Sequence, residues 1–98
     1  MRKKQSKLKT VFLNGTEIST MADVHRVFAE ELNFPGTYGN NLDALHDLLT
    51  EPREVIVLLR DQALLREALG ERYDVLMQVL HDAAEENPKL ILLEEEDA

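Results

Sequence analysis

Cysteine is absent from this 98-residue chain, which removes disulfide staples and thiolate metal ligands and leaves nothing that points to an oxidising compartment. A long hydrophobic run is missing as well. The first apolar stretch, Val11 to Leu13, stops at Asn14-Gly15 and is too short for the core of a secretory signal. A mean hydropathy of −0.29 with 31% charged residues argues against a membrane protein. The expectation is a cytoplasmic protein that does not engage a membrane. Internal repeats and low-complexity segments are absent apart from an acidic C-terminal tail. So are a nucleophile signature, a phosphate loop and a His-Glu-x-x-His metal spacing. No cofactor and no metal are expected.

Positive charge is scarce beyond the start of the chain. Arg2, Lys3, Lys4, Lys7 and Lys9 supply five of the eleven basic residues, and the first nine positions hold no acid. Positions 10 to 98 therefore set six basic residues against all nineteen acidic ones. Such a field repels nucleic acid and speeds encounter with a cationic partner. Residues 1–9 read as a basic, flexible N-terminal arm with no assigned function, 10–94 as one domain and 95–98 as the acidic tail. A domain of this length buries about 60 to 65% of its unfolded surface, enough for one core and little insulated volume for a deep active site. Function is expected on the surface.

The apolar pattern predicts a strand over Thr10–Leu13 and a turn at Asn14-Gly15. A helix follows near 21–32, where Thr20 and Asp23 resemble a capping box and Met21, Val24, Phe28 and Leu32 recur at helical spacing. Turn formers from Asn33 to Asn40 make an exposed loop. Asn41 is placed to cap a second helix from Leu42 to about Leu49, which Pro52 ends. Val55–Leu59 reads as a strand buried on both faces. Asp61 is expected to cap a third helix carrying Leu64, Leu65, Ala68 and Leu69, with Gly70 as its stop. A fourth helix, from about Asp74 to Glu86, turns Leu76, Val79, Leu80 and Ala83 inward, and Asn87-Pro88 ends it before a last strand at Leu90–Leu93. Two-helix crossovers between strands predict an α/β fold: a small three-stranded parallel sheet with about four helices packed around it.

Chemistry concentrates on the second helix. At 100° per residue, Leu42, Ala44, Leu45, Leu48 and Leu49 share one side. Asp43, His46, Asp47 and Thr50 share the other, spaced i, i+3, i+4 and i+7 in one contiguous polar stripe. Such a stripe is either an ordinary solvated face or a docking surface for guanidinium and ammonium groups. A carboxylate on a rigid helix can accept paired hydrogen bonds from arginine much as a phosphate does. An acid–base enzyme built from His46 beside Asp47, or His81 beside Asp82, is disfavoured because adjacent helix positions point about 100° apart. His25, on the first helix, has no neighbouring ligand spacing and is read as lining a helix face.

The run Tyr38-Gly39-Asn40-Asn41-Leu42-Asp43-Ala44-Leu45, followed by Asp47 and Leu48, resembles the YGxNLDALWDxL signature of the barstar family of intracellular ribonuclease inhibitors. Leu13-Asn14-Gly15, Asp23-Val24-His25, Glu31-Leu32, Gln78-Val79 and the closing aliphatic strand extend the resemblance over residues 8 to 93. It implies a barstar-like domain over 10–94 and a stoichiometric inhibitor, with an antitoxin or immunity role. The expected partner is a basic, extracellular or toxin-type, barnase-like ribonuclease bound 1:1, and no nucleic acid is bound directly. The second helix and its preceding loop would plug the enzyme's RNA-binding groove, mimicking RNA.

By the same resemblance Asp47 is the principal acidic contact, set among the enzyme's catalytic cations where a substrate phosphate would lie. Asp43 is a second acidic contact, Thr50 lies on the same face, Gly39 and Asn41 belong to the approaching loop, and Asp82 is a contact on the fourth helix, where the family has the longer glutamate. Tyr38 is expected to pack beneath the loop. The chain departs from the pattern where His46 replaces a tryptophan, Thr37 a contacting tyrosine and Glu51-Pro52 a Gly-Trp pair. Losing aromatic anchors is expected to lower binding energy or to indicate a different cognate ribonuclease. The alternative is a barstar-like module that neutralises or regulates some other basic protein.

Overall fold

Three short runs of alternating aliphatic residues make a parallel sheet in the computed structural model, which describes residues 8–95. The expected basic arm, up to residue 7, and residues 96–98 of the expected tail lie outside the described residues. Strand β1 (Lys9–Asn14) pairs in parallel with β2 (Val55–Arg60), which pairs in parallel with β3 (Leu90–Glu94), in the spatial order β1-β2-β3. Val11 stands beside Val57, and Val57 beside Leu92. Helices α1 (Met21–Leu32) and α2 (Leu42–Leu49) connect β1 to β2, and α3 (Gln62–Leu69) and α4 (Glu71–Glu86) connect β2 to β3. The expected α/β arrangement of four helices and a three-stranded parallel sheet is present.

Strand order explains a difference from the sequence reading of β2. When successive right-handed crossovers advance in one direction across a sheet, their helices fall on the same face. Val11, Leu13, Val55, Val57, Leu59 and Leu90 are buried on that face, together with Phe28, Leu45, Leu49, Leu65, Leu76 and Leu80 from the helices. Ile56 and Leu58 on the opposite face are only half-buried, and Phe12, Ile91 and Leu93 are 46–49% exposed. Strand β2 is therefore buried on one face, not both.

Local chemistry sets the helix ends. The Thr20 hydroxyl accepts from the Asp23 N–H while the Asp23 carboxylate accepts from the Thr20 N–H, closing the capping box. The Ser19 N–H and the Arg26 guanidinium also bond this carboxylate, and they hold its pKa below the ordinary value. At α3 the expected cap does not form. Asp61 adopts the left-handed conformation, at φ 51°, and its side chain makes no cap hydrogen bond. Aspartate tolerates that conformation, and the Asp61 carbonyl instead takes the N–H groups of Leu64 and Leu65. Gly70, at φ 61° and ψ −133°, ends α3 and opens α4 directly. Helix α4 therefore starts at Glu71, a turn earlier than its apolar pattern suggests, and buries Tyr73.

The turn after β1 brings two backbones together. The Gly15 N–H donates to the Arg60 carbonyl at 2.9 Å. A Cβ on residue 15 would lie 2.1 Å from the Asp61 carbonyl oxygen and 2.8 Å from the Leu65 nitrogen, both backbone atoms that cannot swing aside. Gly15→Ala is expected to cost about 2 kcal/mol in urea unfolding, the scale of an overpacked interior. Gly36→Ala, where a Cβ meets nothing within 4 Å, should be neutral or slightly stabilising.

Candidate functional site

The loop before α2 is held from beneath by aromatic side chains. The Phe34 N–H donates to the Ala29 carbonyl, and the Tyr38 N–H to the Pro35 carbonyl. The Phe34 and Tyr38 rings meet edge to face with centroids 4.8 Å apart. The Tyr38 hydroxyl shares a 2.5 Å hydrogen bond with Nδ1 of His25 on α1. Tyr38 thus packs under the loop as expected, and burial pushes its hydroxyl pKa up to about 12. On the other side Arg53 donates to the Leu32 carbonyl at 3.2 Å and lies 5.9 Å from the centre of the Phe34 ring. Thr37 and Gly39 remain exposed above these anchors.

His25 is buried, and desolvation, aided by the charge of Arg72, holds its pKa below the ordinary imidazole value of 6.5. The unfolded chain therefore binds a proton that the folded chain resists. This contribution to stability is fully present above pH 6.5 and is lost as the pH falls through the window between 6.5 and the depressed folded value. Urea unfolding free energy should drop on acidification from pH 7.5 to pH 5, at no more than about 1.4 kcal/mol per pH unit for one proton. In His25→Gln that part of the slope should disappear.

The Asn41 side chain accepts the Ala44 N–H at 2.8 Å and caps α2, and its amide reaches back to the Gly39 carbonyl at 3.4 Å. These two bonds tie the loop to the first turn. Leu45 and Leu49 are fully buried beneath α2, while Asp43 and Asp47 are exposed. Asp43 lies in the first turn, where the helix dipole favours a carboxylate. Among the described residues neither Asp43 nor Asp47 makes an ion pair. Among those residues their charge is left unmatched, one helical turn apart.

Thr50 is the C-cap of α2, and its hydroxyl donates to the Asp47 carbonyl at 2.9 Å. His46 is half-covered, with Nε2 3.5 Å from a carboxylate oxygen of Glu86 on α4. Asp82, one turn before Glu86, accepts from the Gln78 amide at 3.0 Å. Asp43, His46 and Asp47 thus lie on α2 with Thr50 at its C-cap, Gly39 and Asn41 lead into it, and Asp82 stands on the helix packed beside it.

Two residues escaped the sequence reading. Glu86 carries the acidic surface across from α4 to α2. Asn87, read only as part of a helix stop, is 2% exposed and donates to the carbonyls of Leu49, Glu51 and Arg53, while its own oxygen accepts the Lys89 N–H. The three donated bonds cross 34 to 38 residues of sequence, so a local pattern could not signal them.

A cleft of about 580 Å³ lined by Lys9, Leu32, Glu51, Pro52, Arg53, Glu54 and Lys89 includes none of the α2 carboxylates. Among the described residues no group of three His, Cys, Asp or Glu could hold a metal ion, and no helix is long and apolar enough to cross a membrane.

Comparison with known proteins matches residues 8–96 to the family described as "Barstar (barnase inhibitor)". A protein of Bacillus subtilis (strain 168) described as "Putative ribonuclease inhibitor YrdF" is 28% identical over 81 residues, covering 81% of this chain and 89% of that protein.

Proposed function

This chain belongs to the barstar family, and we propose that it is a stoichiometric inhibitor of a basic, barnase-like ribonuclease, in an antitoxin or immunity role in the cytoplasm. The observation that carries this reading is the pair Asp43 and Asp47, unmatched by any ion pair among the described residues and held one turn apart on a capped helix. Two adjacent carboxylates in an isolated helix repel by a few tenths of a kcal/mol. A cationic cleft turns that repulsion into attraction.

In this reading Asp47 occupies the place of a substrate phosphate among the enzyme's basic side chains, and accepts hydrogen bonds from them. Asp43 and Asp82 extend the negative surface on either side. Thr50 and His46 fill the face between them, and Thr37, Gly39 and Asn41 bring the loop backbone against the rim. Inhibition is occlusion, so the chain contributes no reacting group. Rigidity matters because a preformed face loses little conformational entropy on binding.

The test is a titration of a purified barnase-type ribonuclease with this chain. RNA cleavage should fall linearly to zero at one equivalent. Association should slow by about tenfold or more between 50 and 500 mM salt, because steering acts through screened charge. Full RNase activity at several equivalents would reject the ribonuclease target. It would favour the other reading, a module for a different basic protein.

A further inference from the structure

His46 is the one titratable base on α2, and the other charged residues of that helix are acidic. Asp43 lies one turn before it and Asp47 next to it on α2, while Asp82 and Glu86 belong to α4, packed alongside. The loop from Phe34 to Asn41 holds no charged residue, and Glu51 is engaged by Arg53 at 3.2 Å. Among the described residues Glu86 is the ion-pair partner of the imidazole, 3.5 Å from Nε2, with the histidine side chain 30% exposed.

Resting on the reading of this face as the ribonuclease-binding surface, we propose that complex formation is proton-linked through His46: the partner binds the form in which this imidazole is neutral, and a protonated His46 must release its proton. Two effects act in the same direction. A cleft that satisfies Asp47 brings guanidinium or ammonium groups against the neighbouring position, and a positive imidazole there faces like charge in a partly desolvated interface. A protonated His46 also engages Glu86 and withholds that carboxylate from the partner's cations. When His46 is neutral, both the repulsion and the competition vanish. Imidazole is the side chain suited to such a switch, because its charge changes within the physiological range.

The affinity of a purified barnase-type ribonuclease for the wild type, His46→Gln and Glu86→Gln should be measured at pH 5.5, 6.5 and 7.5. The enzyme's own titrating groups, His25 and His81 are common to all three proteins and cancel in the ratios. The wild type should lose affinity on acidification by threefold or more beyond the loss in His46→Gln. One linked proton limits the difference to about tenfold per pH unit. Glu86→Gln should fall between the two.

Calorimetry of the wild type at pH 6 in two buffers of different ionisation enthalpy should show proton release that His46→Gln lacks. Parallel pH profiles for wild type and His46→Gln, or tighter wild-type binding at low pH, would overturn the proton linkage while leaving the inhibitor reading intact. No complex at any pH would remove both.

Discussion

Asp47→Ala is expected to weaken inhibition of a barnase-type ribonuclease by about 30-fold to several thousand-fold, the equivalent of 2–5 kcal/mol for truncating one partner of a buried charge pair. The size comes from the enzyme's side of the interface. Its cations, already stripped of water by the rest of the docking surface, would be left without a counter-charge. The free inhibitor should hardly notice, because Asp47 is exposed and makes no ion pair among the described residues. Removing its repulsion of Asp43 should leave stability unchanged or raise it by a few tenths of a kcal/mol. Asp74→Ala is the matched control. Asp74 carries the same charge on α4, highly exposed and 3.7 Å from Arg66, so its loss should change affinity only through long-range steering. If Asp47→Ala and Asp74→Ala inhibit equally well, Asp47 is no more than part of a solvated face.

Much of this surface is legible in the sequence because it is built from local rules. Asn41 as a cap, the turn formers before it and the i, i+3, i+4, i+7 stripe all depend on residues within one or two turns of each other. The capping box at Thr20 and Asp23 and the aliphatic strands are legible for the same reason. The signature from Tyr38 to Leu48 then gave the stripe a family. Sequence reading fails where the decisive contact is distant. The open outer face of the sheet follows from the order β1-β2-β3, which the aliphatic run Val55–Leu59 cannot express. Asp61 is a good cap in isolation, but the close approach of Gly15 to its carbonyl goes with a left-handed turn that takes its side chain out of capping range. The reach of Glu86 to His46 depends on the packing of α4 against α2.

Asn87 is the clearest case of such a contact, and Asn87→Ala is expected to lower the unfolding free energy by about 3 kcal/mol, since several buried polar groups lose their partners together. The two N–H bonds of its amide are shared among the carbonyls of Leu49, Glu51 and Arg53, at 3.0–3.2 Å, and its oxygen takes the Lys89 N–H at 3.0 Å. It therefore fastens the end of α2 to the turn between α4 and β3. Arg53, within the same fastened segment, carries the connection on to the Leu32 carbonyl and the Phe34 ring under the loop. Asn87→Asp should be worse than alanine, because a carboxylate would point at three carbonyl oxygens without a proton to offer. Urea unfolding measures the stability loss, and ribonuclease binding under conditions where the variant stays folded measures the effect on the face. Asn87 touches no partner in this arrangement, so Asn87→Ala should lose stability with a modest loss of affinity, within about tenfold. Asp47→Ala should show the reverse. A variant at Asn87 that kept full stability would mean that the end of α2 is held by its hydrophobic contacts alone, through Leu45 and Leu49, and that the amide clamp adds nothing to them.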